Sequence, residues 1–295
     1  MHTQYYKPSG KTNSKSFLYL LLAILIAAPI LTVVYTYAVL YIPIVYLNVG
    51  CVIGIAFGLG FAANFVVGLG KVRNQLVAIL FGLIIGIAGL YFSWIIWVYY
   101  HLNASPYIDI THLELLESPE ALWDVIWKIN EQGTWGIGRN ANAYLSGRLL
   151  TTVWGIEAIA FIGTPIFFAF TKANDPYLEE DDNWADTTKI GPFEFIFDNE
   201  ILKKQLEAKN YEPLLAMGPA LNDQQKSHAI FTLYHNKKRT HGKEFYLSVS
   251  NMKERIDKKG QLNFDEKRII NSIRIPKDVG TQLIAKIGTS IEVQL

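Results

Sequence analysis

From residue 17 to residue 70 the chain contains no Asp, Glu, Lys or Arg. A run that long without an ionised side chain does not suit the wet surface of a soluble domain. Four stretches reach the roughly 20 apolar residues that cross a hydrocarbon core: about Phe17 to Leu40, Ile44 to Val67, Gln75 to Tyr99 and Leu149 to Phe170. The first is preceded by Lys7, Lys11 and Lys15, as a signal peptide would be, yet it outruns a signal h-region of about 7 to 15 residues and is expected to be retained.

Lys and Arg near the ends of spans are held in the cytoplasm. Lys7, Lys11 and Lys15 before the first span, Lys71 and Arg73 between the second and third, and Lys172 after the fourth all fall on one side. The loop between the last two spans carries Asp109, Glu114, Glu117, Glu120, Asp124 and Glu131 against few bases, as an exterior loop should. Both termini are therefore expected in the cytoplasm, with the chain integral to a plasma membrane or bacterial inner membrane. Tyr35, Tyr37, Tyr41 and Tyr46 flank the first hairpin, and Trp94, Trp97, Tyr99 and Tyr100 end the third span. Such aromatics favour the headgroup level and mark the outer leaflet.

The expected organisation is a cytosolic tail over 1–16, a four-helix transmembrane bundle over 17–171 with an exterior loop at 101–148, an acidic linker over 172–188, and a small cytosolic α+β domain over 189–295. Most charged side chains lie beyond residue 171, with acids and bases in balance, which argues against nucleic acid as a partner. The lone cysteine, Cys51, sits in an apolar run and offers neither a disulfide nor a cysteine metal site.

Gly50, Gly54 and Gly58 recur at four-residue spacing in the second span, and Gly82 and Gly86 do so in the third. Small residues at that spacing let helix backbones approach closely. Packing of spans two and three within the chain, and an interface between copies of a homo-oligomer, both fit. Pro29 and Pro165 each remove a backbone donor and predict kinks.

Glu157 is the only Asp, Glu, Lys or Arg within the spans, about 10 Å below the outer end of its helix. A carboxyl there must be neutral, paired or wet. Tyr37, Asn48, Tyr91 and Ser93 lie at similar depth and could hydrogen-bond it. A structural acid that fixes helix rotation and a ligand, ion or proton contact in an outward-facing cavity both remain open. In the loop, Ser118, Pro119 and Gly133 bracket a predicted amphipathic helix with Trp123 and Trp127.

In the last hundred residues the alternation of Phe193, Phe195 and Phe197 predicts a strand, and Asp198 caps a predicted helix over 199–209. His228–His235 and Glu244–Met252 read as a hairpin, IEVQL as a last strand, and 276–287 as a helix. The hairpin turn carries Lys237, Lys238, Arg239 and Lys243, which could meet an anionic ligand or an acidic partner. No nucleophile elbow, kinase set, phosphate-binding loop, zinc-protease motif or cofactor fingerprint is present. The sequence supports a non-enzymatic scaffold, sensor or effector subunit whose cytosolic domain binds a protein or small ligand. An oligomeric transport subunit using Glu157, or a membrane enzyme without a recognisable motif, are the alternatives.

Overall fold

The computed structural model describes residues 4–42, 44–103, 110–136, 144–220, 227–237 and 242–292. The chain forms two compact units, Ser9–Asn174 and a second made of Met1–Pro8 with Asp175–Leu295.

The first unit holds four helices long and apolar enough to cross a membrane: Lys15–Tyr41, Val45–Leu69, Gln75–Leu102 and Gly147–Asn174, called helices 1 to 4 below. Helix 1 widens into a π turn at Ala23–Ala27, just before Pro29. A proline has no N–H to close its turn, and the wider winding accommodates the missing bond where the sequence predicted a kink. Helix 4 runs through Pro165 without interruption.

The expectation that spans two and three meet through their glycines holds at Gly89, which packs on Leu59 of helix 2, but not at Gly82 and Gly86. An added Cβ at Gly82 would lie 2.6 Å from the Pro165 carbonyl oxygen, and one at Gly86 would lie 2.7 Å from that of Phe161. Helix 3 therefore meets helix 4 backbone to backbone. Pro165 cannot bond the Phe161 carbonyl, which leaves that oxygen facing the Gly86 Cα, a geometry suited to a weak C–H···O contact. Gly58 abuts Leu31 of helix 1, whereas a Cβ at Gly50 or Gly54 would meet nothing within 4 Å.

Between helices 3 and 4 the predicted loop helix is present as Pro119–Gln132, stopped by Gly133 at φ 83°. A second helix, His112–Glu117, precedes it, started by a reciprocal Thr111–Glu114 capping box that the sequence expectations did not include. Leu115, Leu122 and Ile126 pack on Ile95 and Val98 of helix 3, so this segment caps one end of the helices. Two short strands, β1 (Trp135–Gly136) and β2 (Tyr144–Leu145), complete the connection.

The second unit is a small α+β region. A two-stranded hairpin, β3 (Tyr177–Leu178) with β4 (Asn183–Trp184), precedes an antiparallel sheet of β5 (Asp186–Phe193), β6 (His228–His235), β7 (Phe245–Ile256) and β8 (Leu262–Ile275), paired in that order. Alternate β6 residues Ala229, Phe231 and Leu233 are buried with Leu247 and Val249 of β7. Leu202 and Leu206 of helix Asn199–Glu207, Leu214 of helix Glu212–Ala216, and Val279 and Leu283 of helix Lys277–Glu292 close that core. The stretch expected to be an acidic linker is folded into this unit: Tyr177, Leu178 and Asp181 are buried. The strand expected over Phe193–Phe197 ends at Phe193, and Phe197 is exposed. Of IEVQL, Ile291 and Glu292 end a helix and the rest lies outside the described residues.

Candidate functional site

On helix 4, Leu150, Trp154, Glu157, Phe161 and Pro165 recur at three- and four-residue intervals and share one face. Leu150, Phe161 and Pro165 of this stripe are buried. On helix 1 the corresponding stripe is Ala28, Thr32, Tyr35 and Thr36, all buried. Where the stripes meet, the Tyr35 hydroxyl donates to Glu157 Oε1, and the Tyr35 ring stands edge-on to Phe161 at 5.3 Å between centroids. A carboxyl in an apolar interior carries a desolvation cost that such a donor partly offsets.

Glu157 lines two cavities. One is small, about 30 Å³, walled by Ser93, Trp94, Trp97 and Trp154 with Tyr35 and Thr36. It has room for about one water-sized group. The indoles stand edge to face, with Trp94 at 4.9 Å from Trp154 and 5.4 Å from Trp97. The other cavity is a cleft of about 530 Å³ among helices 1, 2 and 4, lined by Val49, Val52, Val153 and Ile156, with Asn48 and Glu157 supplying polar groups. The Asn48 Oδ1 and Thr36 Oγ1 atoms are buried without a hydrogen-bond partner. Such atoms carry a free-energy cost that a ligand atom or water can relieve.

Of the four partners that depth suggested, the structure places Asn48 and Ser93 in the cavities that Glu157 lines. Ser93 donates to the Leu90 carbonyl at 2.7 Å. Tyr91 instead donates to the Leu116 carbonyl at 2.8 Å and ties helix 3 to the capping segment. Tyr37 stacks on Tyr41 and lines neither cavity. The true partner, Tyr35, was legible in helix periodicity: it follows Ala28 by seven residues and Thr32 by three, on the face that small residues mark for packing.

The basic turn of the second unit is flanked by acids. The Lys237 backbone N–H donates to Asp186 at 3.0 Å and its ammonium to the Thr187 carbonyl at 2.9 Å, while the Lys243 N–H donates to Asp181 at 3.1 Å. Lys238 and Arg239 lie outside the described residues. Nearby, Arg274 bridges Glu180 at 2.8 Å and the buried Glu244 at 3.3 Å. Burial, and then the Glu244 carboxylate, push the Tyr246 phenol up to about 12. Among the described residues no group of three or more His, Cys, Asp or Glu could hold a metal ion.

Comparison with known protein families, with curated proteins and with solved structures finds no match to this chain.

Proposed function

We propose that this chain is an integral membrane protein with four spans and cytoplasmic termini, acting as a sensor or effector subunit: the helical unit receives a ligand at Glu157, and the α+β unit engages a cytosolic partner. The observation that carries the reading is the Tyr35–Glu157 pair, one ionisable group set between a polar aromatic cavity and an open apolar cleft. Intramembrane acids are rare and usually functional. Helix 4 is continuous from this site to Asn174, and the second unit resumes at the next residue, Asp175. A change at Glu157 therefore has a stiff element through which to act.

A pathway through a single chain finds little support. Next along helix 4 from Glu157, Phe161 is fully buried, and Gly82 and Gly86 bring helices 3 and 4 into backbone contact. Transport would need several copies, and the open stripe at Gly50 and Gly54 favours them.

Two measurements test the proposal. With Cys51 replaced by Ser, a cysteine introduced at Asn103 should react with an impermeant maleimide from outside, and a reporter fused after Leu295 should read cytoplasmic. Hydrogen exchange of the full chain in nanodiscs, wild type against Glu157→Gln, should change in the α+β unit as well as around Tyr35. Exchange changes confined to the helices would sink the sensor reading, and reversed labelling would sink the topology.

A further inference from the structure

The larger cleft is lined by two kinds of chemistry. Val49 and Val52 of helix 2 and Val153 and Ile156 of helix 4 make its sides aliphatic, and its volume of about 530 Å³ falls within the range of about 300–1,000 Å³ typical of small-molecule sites. Its rim lies on the surface of the helical unit, where Val49, Leu149 and Ile156 are 55%, 68% and 64% exposed. In a bilayer those side chains meet acyl chains, so the cleft opens to lipid.

The polar part of the lining offers acceptors. Asn48 Oδ1 is buried and unpartnered, and the Glu157 carboxyl lies beside the same space. The hydroxyl protons nearby are already engaged: Tyr35 donates to Glu157, and Thr152 donates to the Arg148 carbonyl at 2.9 Å. Among the described residues no Lys or Arg lines the cleft. A carboxylate or phosphate head could accept from the Asn48 amide but would stand beside the Glu157 carboxyl with no basic side chain to offset it, while a donor head satisfies both acceptors. On the other side of the carboxyl, the indoles of Trp94, Trp97 and Trp154 favour a positive group over a negative one.

We propose that this cleft binds a single-chain amphiphile taken from the membrane, with its tail between helices 2 and 4 and a hydrogen-bond-donating amine or hydroxyl head at Asn48 and Glu157. The proposal deepens the sensor reading and rests on it. It assigns the ligand a class: long-chain amines and alcohols bind, and fatty acids do not.

Photolabelling of the full-length protein in phosphatidylcholine nanodiscs tests it, using hexadecylamine, hexadecanol and hexadecanoic acid that each carry a diazirine in the chain. The amine and alcohol should label the peptides bearing Val49 and Val153 at least about tenfold more than the acid does, a difference of about 1.4 kcal/mol. Val49→Trp and Val153→Trp fill the cleft and should abolish that labelling. Glu157→Gln should lower labelling by the amine more than by the alcohol. Equal labelling by the three probes, or a preference for the acid, overturns the proposal. So does undiminished labelling of both tryptophan variants at an unchanged melting temperature. Where those variants melt early, Asn48→Leu decides, because loss of the orphaned acceptor should weaken alcohol labelling and an unaltered yield overturns the assignment. Failure of the topology assay removes the membrane reading itself, whereas correct topology with head-independent labelling removes only the ligand class.

Discussion

Removing the Tyr35 hydroxyl would leave the Glu157 carboxyl beside Trp154 and Val39 without its donor. A buried polar group stripped of its partner costs about 1–3 kcal/mol, so Tyr35→Phe should lower the stability of the purified protein by that order. In a Glu157→Leu background the same change should cost much less, since the acceptor is gone. A double-mutant cycle by thermal or denaturant unfolding reads the difference, and strictly additive losses would show that the pair is incidental. His235 supports a second expectation. It is buried, stacks on Phe245 at 5.9 Å and lies 2.9 Å from the Thr188 hydroxyl. Burial, then Lys237, hold its pKa below the ordinary histidine value, with Asp186 opposing. The unfolded chain then takes up a proton, from about pH 6.5 downward, that the folded chain resists. Stability should fall as pH drops through that window, and His235→Gln should flatten that part of the profile. An identical slope in the variant would remove His235 as the cause. Glu157 itself was legible as the only Asp, Glu, Lys or Arg within the apolar stretches, and its partner was legible only through helix periodicity, because depth alone ranks Tyr37 with Tyr35 whereas only the latter lies on the packed face.

At the level of whole elements, the glycines separate into two classes that spacing does not distinguish. Gly82 and Gly86 are buried against helix 4 backbone, while Gly50 and Gly54 are exposed. Gly86→Leu should therefore prevent accumulation of folded protein or lower its melting temperature sharply, through overpacking at a contact that cannot shift. Gly54→Leu should be tolerated by the monomer. If Gly54→Leu instead dissociates an assembly seen by native mass spectrometry, the open stripe is a contact between copies. The strands show a similar division. β6 was legible because its alternation of buried and half-exposed residues is complete. β8 was missed: its first half, LNFDEKR, is exposed or half-exposed at every position and carries charges on both faces, so no period of two survives. Phe195 and Phe197 alternate as a strand would, yet Asn251 replaces the ladder there, its amide donating to the Ile196 carbonyl at 2.7 Å and its carbonyl accepting from the Ile196 N–H at 3.2 Å. A side chain remote in sequence takes up the backbone groups of Ile196, which local patterning cannot foresee.

Across the whole chain, the N-terminal segment contributes more than a solvated tail. Residues Gln4 to Tyr6 lie along the edge of β8, where the Tyr6 N–H donates to the Ser272 carbonyl and the Arg274 N–H to the Gln4 carbonyl, both at 2.8 Å. Ser272 adopts φ 50° beside irregular pairing of β7 with β8, and its N–H donates to the Ser248 hydroxyl at 2.8 Å. That local turn of the backbone presents its carbonyl to the incoming segment. Side chains reinforce the pairing: the Tyr5 hydroxyl donates to Glu207 at 2.6 Å, with burial and this bond pushing its pKa up to about 12, and Tyr6 packs edge-on against Tyr246 at 5.3 Å. The Tyr6 hydroxyl also donates to the Asp175 carbonyl at 3.0 Å and accepts from the Tyr177 N–H at 3.1 Å, fixing the segment that follows helix 4. The α+β unit is thus built from two separate stretches of chain, one before helix 1 and one after helix 4, joined by the Gln4–Tyr6 edge pairing and by the Tyr6 hydroxyl bridge. Deletion of residues 1–8 from the full chain should therefore raise hydrogen exchange at the Arg274 amide by at least about tenfold, since this edge amide loses its Gln4 acceptor and would open locally without global unfolding. The same deletion should loosen β3 and β4, whereas Tyr6→Phe should loosen only the Asp175–Tyr177 segment and leave the β8 edge protected. Unchanged exchange at both places in the deletion would show that the tail rests on this unit without stabilising it. Protection lost at β8 but kept at Tyr177 would assign the hydroxyl bridge no part in holding the stretch that follows helix 4.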